Sequence, residues 1–92
     1  MYVIITRHPA TEAFIRAEKS IFADALCISG NATAADVKGK FVAGNIPLHL
    51  AAQAISVFAV EFTGNPPRGQ EYTHEDMIDA GAYLAEYMVQ SL

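Results

Sequence analysis

Residues 3–11 read VIITRHPAT. An apolar, mostly β-branched run stops at threonine, arginine and histidine, and a proline follows. A continuous run of this kind is the pattern of a strand covered on both faces. Proline is preorganised for the first turn of a helix, where its missing N–H costs nothing. The next stretch, ATEAFIRAEK (10–19), puts Ala13, Phe14 and Ala17 on one face and sets Glu12 and Arg16 four apart. A strand feeding straight into a helix opens a β-α-β unit, and repetition of that unit makes a parallel sheet with right-handed crossovers.

The alternation continues. ADALCIS (23–29) is a second apolar run, ended by Gly30-Asn31, and residues 32–39 have room for one helical turn. KFVAG (40–44) is a short third strand ended by Gly44-Asn45, and Pro47 starts a helix, PLHLAAQAI. VFAVEF (57–62) is the fourth strand, and TGNPPRGQEY (63–72) is a loop by composition. Thr73 caps a last helix in a Thr-x-x-Asp arrangement, with Glu75, Asp76 and Asp79 toward its positive end. Met77, Ala80, Gly81, Leu84 and Met88 make one apolar stripe on it, and Ile78, Ala82, Ala85 and Val89 a second. One stripe covers a sheet, and the second points to a subunit interface. The expected order is β-α-β-(turn)-β-α-β-α, an α/β fold with a mainly parallel four-stranded sheet. The short link between the second and third strands leaves room for one antiparallel strand.

Ninety-two residues make a single domain, 1–92. A chain of this size buries only about 60–65% of its unfolded surface, yet 52% of its residues are apolar. That excess favours burial against a second copy, most often about a two-fold axis. The net charge of −4, with six Lys and Arg, gives no basic footprint for duplex nucleic acid. A small anion held by a few local donors remains compatible with it. Cys27 is the sole cysteine, so neither an intrachain disulfide nor a zinc cluster is available. Its apolar surroundings read as a buried, inert thiol. No apolar run approaches the ~18–20 residues of a membrane span, and the N-terminal run is too short for a signal peptide. The expected location is the cytoplasm.

In an open α/β sheet, ligands bind beyond the carboxyl ends of the strands. The first strand ends at Thr6, Arg7 and His8, the second at Ser29, Gly30 and Asn31, the third at Gly44 and Asn45. The fourth ends at Thr63, Gly64 and Asn65, with Arg68 beyond. Gly-Asn is ordinary turn chemistry, since both residues tolerate positive φ. Three such exits beside an Arg-His exit on one rim make a candidate anion site. GNIPLHLAA (44–52) is its sharpest unit: a strand runs through Gly44, Asn45 and Ile46 into a helix start, where free N–H groups and the helix dipole favour phosphate. It is neither a Walker loop nor a dinucleotide fingerprint. His49 falls in the first turn of that helix, and a partly buried structural histidine is the competing reading. His74 reads as a solvated first-turn residue.

TRHP (6–9), GNIPLHLAA (44–52), PPRGQEYTHEDM (66–77) and GAYLAEY (81–87) together resemble a small CRISPR-associated family, the Csx series, number sixteen, found beside type III systems. The resemblance spans nearly the whole chain in the same order. The sequence departs from the family pattern at Ala10-Thr11, where Gly-Ala is expected, and at Glu71-Tyr72, where Glu-Leu is expected. It also lacks a tryptophan in the first helix. The resemblance implies a Rossmann-like, three-layer domain related to those that sense cyclic oligoadenylates, acting as a homodimer. It further implies a ring nuclease that binds cyclic tetra-adenylate and cuts it, which switches off the antiviral response.

Such an enzyme needs neither a cofactor nor a metal. A ribose 2′-hydroxyl attacks its own 3′-phosphodiester, and the protein aligns the two and stabilises the phosphoryl charge. On that reading the turn at Gly44 and Asn45 and the helix after Pro47 cradle a phosphate, and Arg7 pairs with one. His8 is the first candidate for proton transfer and His49 the second, because imidazole titrates near neutrality. Arg68 closes over the ligand, and Tyr72 is a candidate adenine platform. Two other functions use the same sequence. A module that sequesters the nucleotide uncut needs the same donors without a placed base. A small interaction protein needs only the apolar last helix.

Overall fold

The computed structural model describes residues 1–66 and 71–92, and the expectation for Arg68 lies outside them. Strand β1 (Tyr2–Ile5) leads into helix α1 (Pro9–Glu18), with Pro9 in its first turn. A 3-10 turn (Ser20–Phe22) precedes β2 (Leu26–Ile28). Helix α2 (Ala34–Val37) fills the segment with room for one turn, and β3 (Phe41–Ala43) follows. Then come α3 (Leu48–Ala51), β4 (Ser56–Phe62), α4 (His74–Asp79) and β5 (Ala82–Tyr87).

The sheet runs β2-β1-β3-β4-β5. β1 pairs with β2 and β3 in parallel, β3 pairs with β4 in parallel, and β5 closes the edge antiparallel to β4. The alternating α/β reading therefore holds, with a mainly parallel sheet. The sheet has five strands where four were expected, and the antiparallel strand is the last one, not the second or third.

The extra strand comes from the expected last helix, which stops after Asp79. Gly81 ends it: its φ is +72°, a left-handed conformation suited to glycine, and its N–H donates to the Ile78 carbonyl. Beyond it the apolar residues alternate with period two. Ala82 and Leu84 pack against the core that holds Phe58 and Val60, while Tyr83 and Tyr87 are exposed. The two helical stripes through Leu84, Ala85, Met88 and Val89 are thus not faces of one helix. The start of α4 matches the sequence, with Thr73 Oγ1 accepting from Asp76 N and the Asp76 carboxylate accepting from Thr73 N.

Period-two alternation also divides the core. Ile4, Ala43, Phe58 and Val60 face α1, the 3-10 turn and α4, where Phe14, Ile15, Phe22 and Met77 meet them. Val3, Ile5, Val42 and Val57 face the other way, toward Val37 of α2 and Leu50 and Ala51 of α3. Phe14, Phe22, Ile4 and Ile15 are essentially inaccessible, and each such side chain contributes about 1.5–3 kcal/mol of transfer free energy. Arg16 ties the end of α1 to the 3-10 turn by donating to Phe22 O and Ala23 O, at 3.0 and 2.8 Å. Cys27 is half-buried where a buried thiol was expected, and burial first, then the adjacent Glu12 carboxylate, pushes its thiol pKa up. No helix among the described residues is long and apolar enough to cross a membrane.

Candidate functional site

The strand order reverses direction between β1 and β3, because the chain adds β2 on one side of β1 and then β3 on the other. A crevice opens beyond the carboxyl ends at such a point. There the structure has an open pocket of about 560 Å³. Of the eleven candidate residues, eight line it: Thr6, Arg7, His8, Gly30, Asn31, Asn45, Ile46 and His49. Segments that end β1, β2 and β3 therefore meet at one place. Thr11, Val60 and Phe62 add walls that the sequence did not single out, and Pro47 and Tyr72 stand among the lining residues.

The Arg-His exit is held by specific partners. Arg7 Nη2 donates to Asn31 Oδ1 at 3.0 Å, which couples the ends of β1 and β2. The His8 N–H donates to Thr6 Oγ1 at 3.2 Å. His8 Nδ1 lies 2.6 Å from Glu71 Oε1, across 63 residues of sequence. A carboxylate at Nδ1 selects the tautomer protonated there and leaves Nε2 as an acceptor. The His8 ring stacks on Tyr72 with centroids 6.1 Å apart and planes 25° apart, and Phe62 meets Tyr72 edge-on at 6.0 Å. Glu71 and Tyr72 thus fix the histidine from the far end of the chain. No periodicity announces Glu71. Its only trace in the sequence is its place in the late segment that carries the family resemblance.

Three of the candidate residues carry structural roles that the sequence did not announce. Asn45 is occupied: its Nδ2 donates to Val60 O at 3.2 Å and its Oδ1 accepts from Val60 N at 2.9 Å. β3 ends at Ala43 while β4 runs on to Phe62. The Asn45 carboxamide takes the place of the missing β3 backbone and walls the pocket. Gly44 is required by strand packing and is absent from the pocket lining. Its φ is +138°, and a Cβ there would sit 2.1 Å from Ile5 O. Thr63 lies outside the pocket. It extends the β4–β5 ladder through a bond from its N–H to Gly81 O.

The helix after Pro47 is also shorter than its sequence suggests. α3 is one turn, Leu48–Ala51, so its aligned dipole is small. α3 brings His49 and Leu50 to the pocket, from the sheet face opposite α1. Gly30, with φ +124° and open space where a Cβ would point, shapes the β2 exit. Among the described residues no group of three or more His, Cys, Asp or Glu is arranged to hold a metal ion. The site is a cation, two imidazoles, a carboxylate-fixed tautomer and an aromatic wall, which is suited to binding an anion with an aromatic base and moving a proton beside it.

No curated protein and no solved structure matches this chain. One protein family does, and it is described as "Putative CRISPR-associated protein (Cas_VVA1548)". Its match runs over residues 3–90, from β1 through the end of β5, and takes in every residue of the pocket. The chain belongs to this CRISPR-associated family.

Proposed function

We propose that this pocket binds cyclic tetra-adenylate and opens the ring without a metal, which would end type III CRISPR signalling. The observation that carries the reading is the convergence of Arg7, His8 and His49 on one open pocket, with His8 fixed by Glu71. The ribose 2′-oxygen attacks its own 3′-phosphorus. The new O–P bond closes a 2′,3′-cyclic phosphate, and the P–O bond to the next 5′-oxygen breaks. His8 Nε2 takes the 2′-hydroxyl proton, and His49 returns a proton to the leaving 5′-oxygen. An in-line displacement places those two oxygens on opposite sides of phosphorus. His8 caps the start of α1 on one face of the sheet and His49 lies in α3 on the other, which suits that geometry. Arg7 pairs with the phosphoryl oxygens as charge builds. Tyr72 and Phe62 offer an apolar wall to an adenine.

A pocket of about 560 Å³ takes part of a ring of four nucleotides. A homodimer with two facing pockets would hold the whole of it. The test is incubation of the protein with cyclic oligoadenylates of several sizes in EDTA, with chromatography of the products. Linear fragments ending in 2′,3′-cyclic phosphate are expected from the tetra-adenylate. Stoichiometric capture with intact ring recovered would replace cleavage by sequestration, and no binding at micromolar protein would overturn both.

A further inference from the structure

Two polar residues are buried among the described residues, Ser56 and Thr11, at 3% and 7% exposure. Ser56 has its partner, since its hydroxyl donates to Glu86 Oε2 at 2.7 Å. Thr11 is different. Among the described residues no hydrogen bond reaches its hydroxyl, and no buried side-chain oxygen or nitrogen is sealed off without a bond. The Thr11 hydroxyl is therefore not sealed in the core, and it opens on the candidate pocket that the residue lines.

The pocket has a polar side and an aromatic one. Arg7 and Asn31, joined to each other at the ends of β1 and β2, supply the cation and the amide. On the side covered by α1, Val60 belongs to the core, and Phe62 and Tyr72 pack against it. Thr11 stands on this side, in the first turn of α1. The other threonine of the lining, Thr6, is already engaged, accepting from the His8 N–H at 3.2 Å.

We propose that Thr11 reads the base, its hydroxyl bonding the polar edge of an adenine whose ring lies against Phe62 and Tyr72. This rests on the nucleotide reading of the pocket and names a specificity-determining residue within it. In the open pocket, solvent can serve the hydroxyl. A flat base entering the aromatic side displaces that solvent, and a hydroxyl left there without a partner is destabilising. The edge of adenine offers ring nitrogens that accept and an amino group that donates, and a hydroxyl can answer either. A phosphate is drawn to the Arg7 guanidinium instead, on the polar side. A site that bonds an edge atom rejects a ligand lacking that atom more strongly than an apolar slot rejects a change of size.

Equilibrium binding of cyclic tetra-adenylate, compared with rings that each lack one edge atom, tests this. Purine in place of adenine removes the amino group, and three deaza-adenines each replace one ring nitrogen by carbon. Wild type should bind one of these rings roughly 5–100-fold more weakly than the adenylate ring. Thr11→Val keeps the shape and exchanges the hydroxyl for a methyl. It should bind the adenylate ring more weakly by a similar factor and lose the preference, while Thr11→Ser keeps it. Thr11→Val should also unfold at or above the wild-type midpoint, since no bond within the protein is lost. A lower midpoint with the preference intact makes Thr11 structural and overturns the proposal. An equal loss for every ring puts the hydroxyl on sugar or phosphate and overturns it too. If Thr11→Val binds the whole panel as wild type does, Thr11 reads nothing and the nucleotide pocket stands. If wild type binds none of the rings, both fall.

Discussion

At the residue scale the site depends on which nitrogen of His8 is held. Glu71 at Nδ1 leaves Nε2 to accept a proton. His8→Ala should lower ring cleavage by roughly 10²–10⁴-fold. Glu71→Gln keeps the size of the side chain but releases the tautomer, and the loss should be large, up to about 10⁴-fold when an orienting carboxylate becomes an amide. Single-turnover cleavage with unchanged ring affinity checks both, because a purely structural Glu71 would change affinity or folding first. Asn45 makes the opposite prediction. Asn45→Ala leaves Val60 N and O without their partners and should cost about 1–3 kcal/mol. For a domain of this size that lowers the unfolding midpoint by several degrees, at about 4–8 °C per kcal/mol. Thermal unfolding measures it. These two residues mark the limits of a sequence reading. Arg7 and His8 were legible because they follow directly from the end of a strand. Glu71 was not, because it reaches His8 through tertiary structure alone. Asn45 was placed at the pocket, but its bonds to Val60 were not legible, since a carboxamide suits a phosphate or a broken ladder equally well.

At the scale of elements, β1-α1, β2, β3 and β4 were legible from β-branched runs and helix-start chemistry. Residues 82–87 were not, because small alanines at 80, 82 and 85 satisfy both a helical stripe and a strand alternation. Gly81 decides between them. The helical stripe includes it, and in the structure it terminates α4 in the left-handed region. A Cβ on it would lie 2.0 Å from Thr63 Oγ1 and 3.3 Å from Thr63 Cβ. Gly81→Ala therefore combines backbone strain of about 1–3 kcal/mol with a clash against the neighbouring strand. In a Thr63→Ala background the hydroxyl is gone and only the strain and a tight methyl contact remain. The double variant should be more stable than the sum of the single effects predicts, by a coupling of about 0.5–3 kcal/mol. Urea unfolding of the four proteins reads it directly. Additive losses would mean that Thr63 moves aside freely.

For the whole molecule, the parallel order with a reversal between β1 and β3 explains why distant exits share one pocket while Thr63 does not. The same long-range pairing that extends β4 with β5 brings Glu61 between two tyrosines, and this shapes the response of the molecule to pH. On the acid side, Arg16 first, then Cys27, holds the Glu12 carboxyl below its ordinary value, and the Thr33 backbone N–H first, then the Thr33 hydroxyl, does so for Asp36. A depressed carboxyl contributes stability that is complete above its unfolded-state value and is lost as the pH falls through the folded one. On the alkaline side, the hydroxyl bonds to Glu61 raise both Tyr83 and Tyr87 above the usual phenol value. A raised phenol contributes stability that is complete below its unfolded-state value and is lost as the pH climbs through the folded one. Ultraviolet titration of phenolate absorbance should show two tyrosines ionising later than free tyrosine. Glu61→Gln removes the carboxylate charge and should bring both back toward the ordinary value, with a shallower alkaline fall in the unfolding midpoint. If the tyrosine titration is the same in Glu61→Gln and wild type, the carboxylate does not hold those hydroxyls in solution. The face on β4 and β5 would then present an unsatisfied charge.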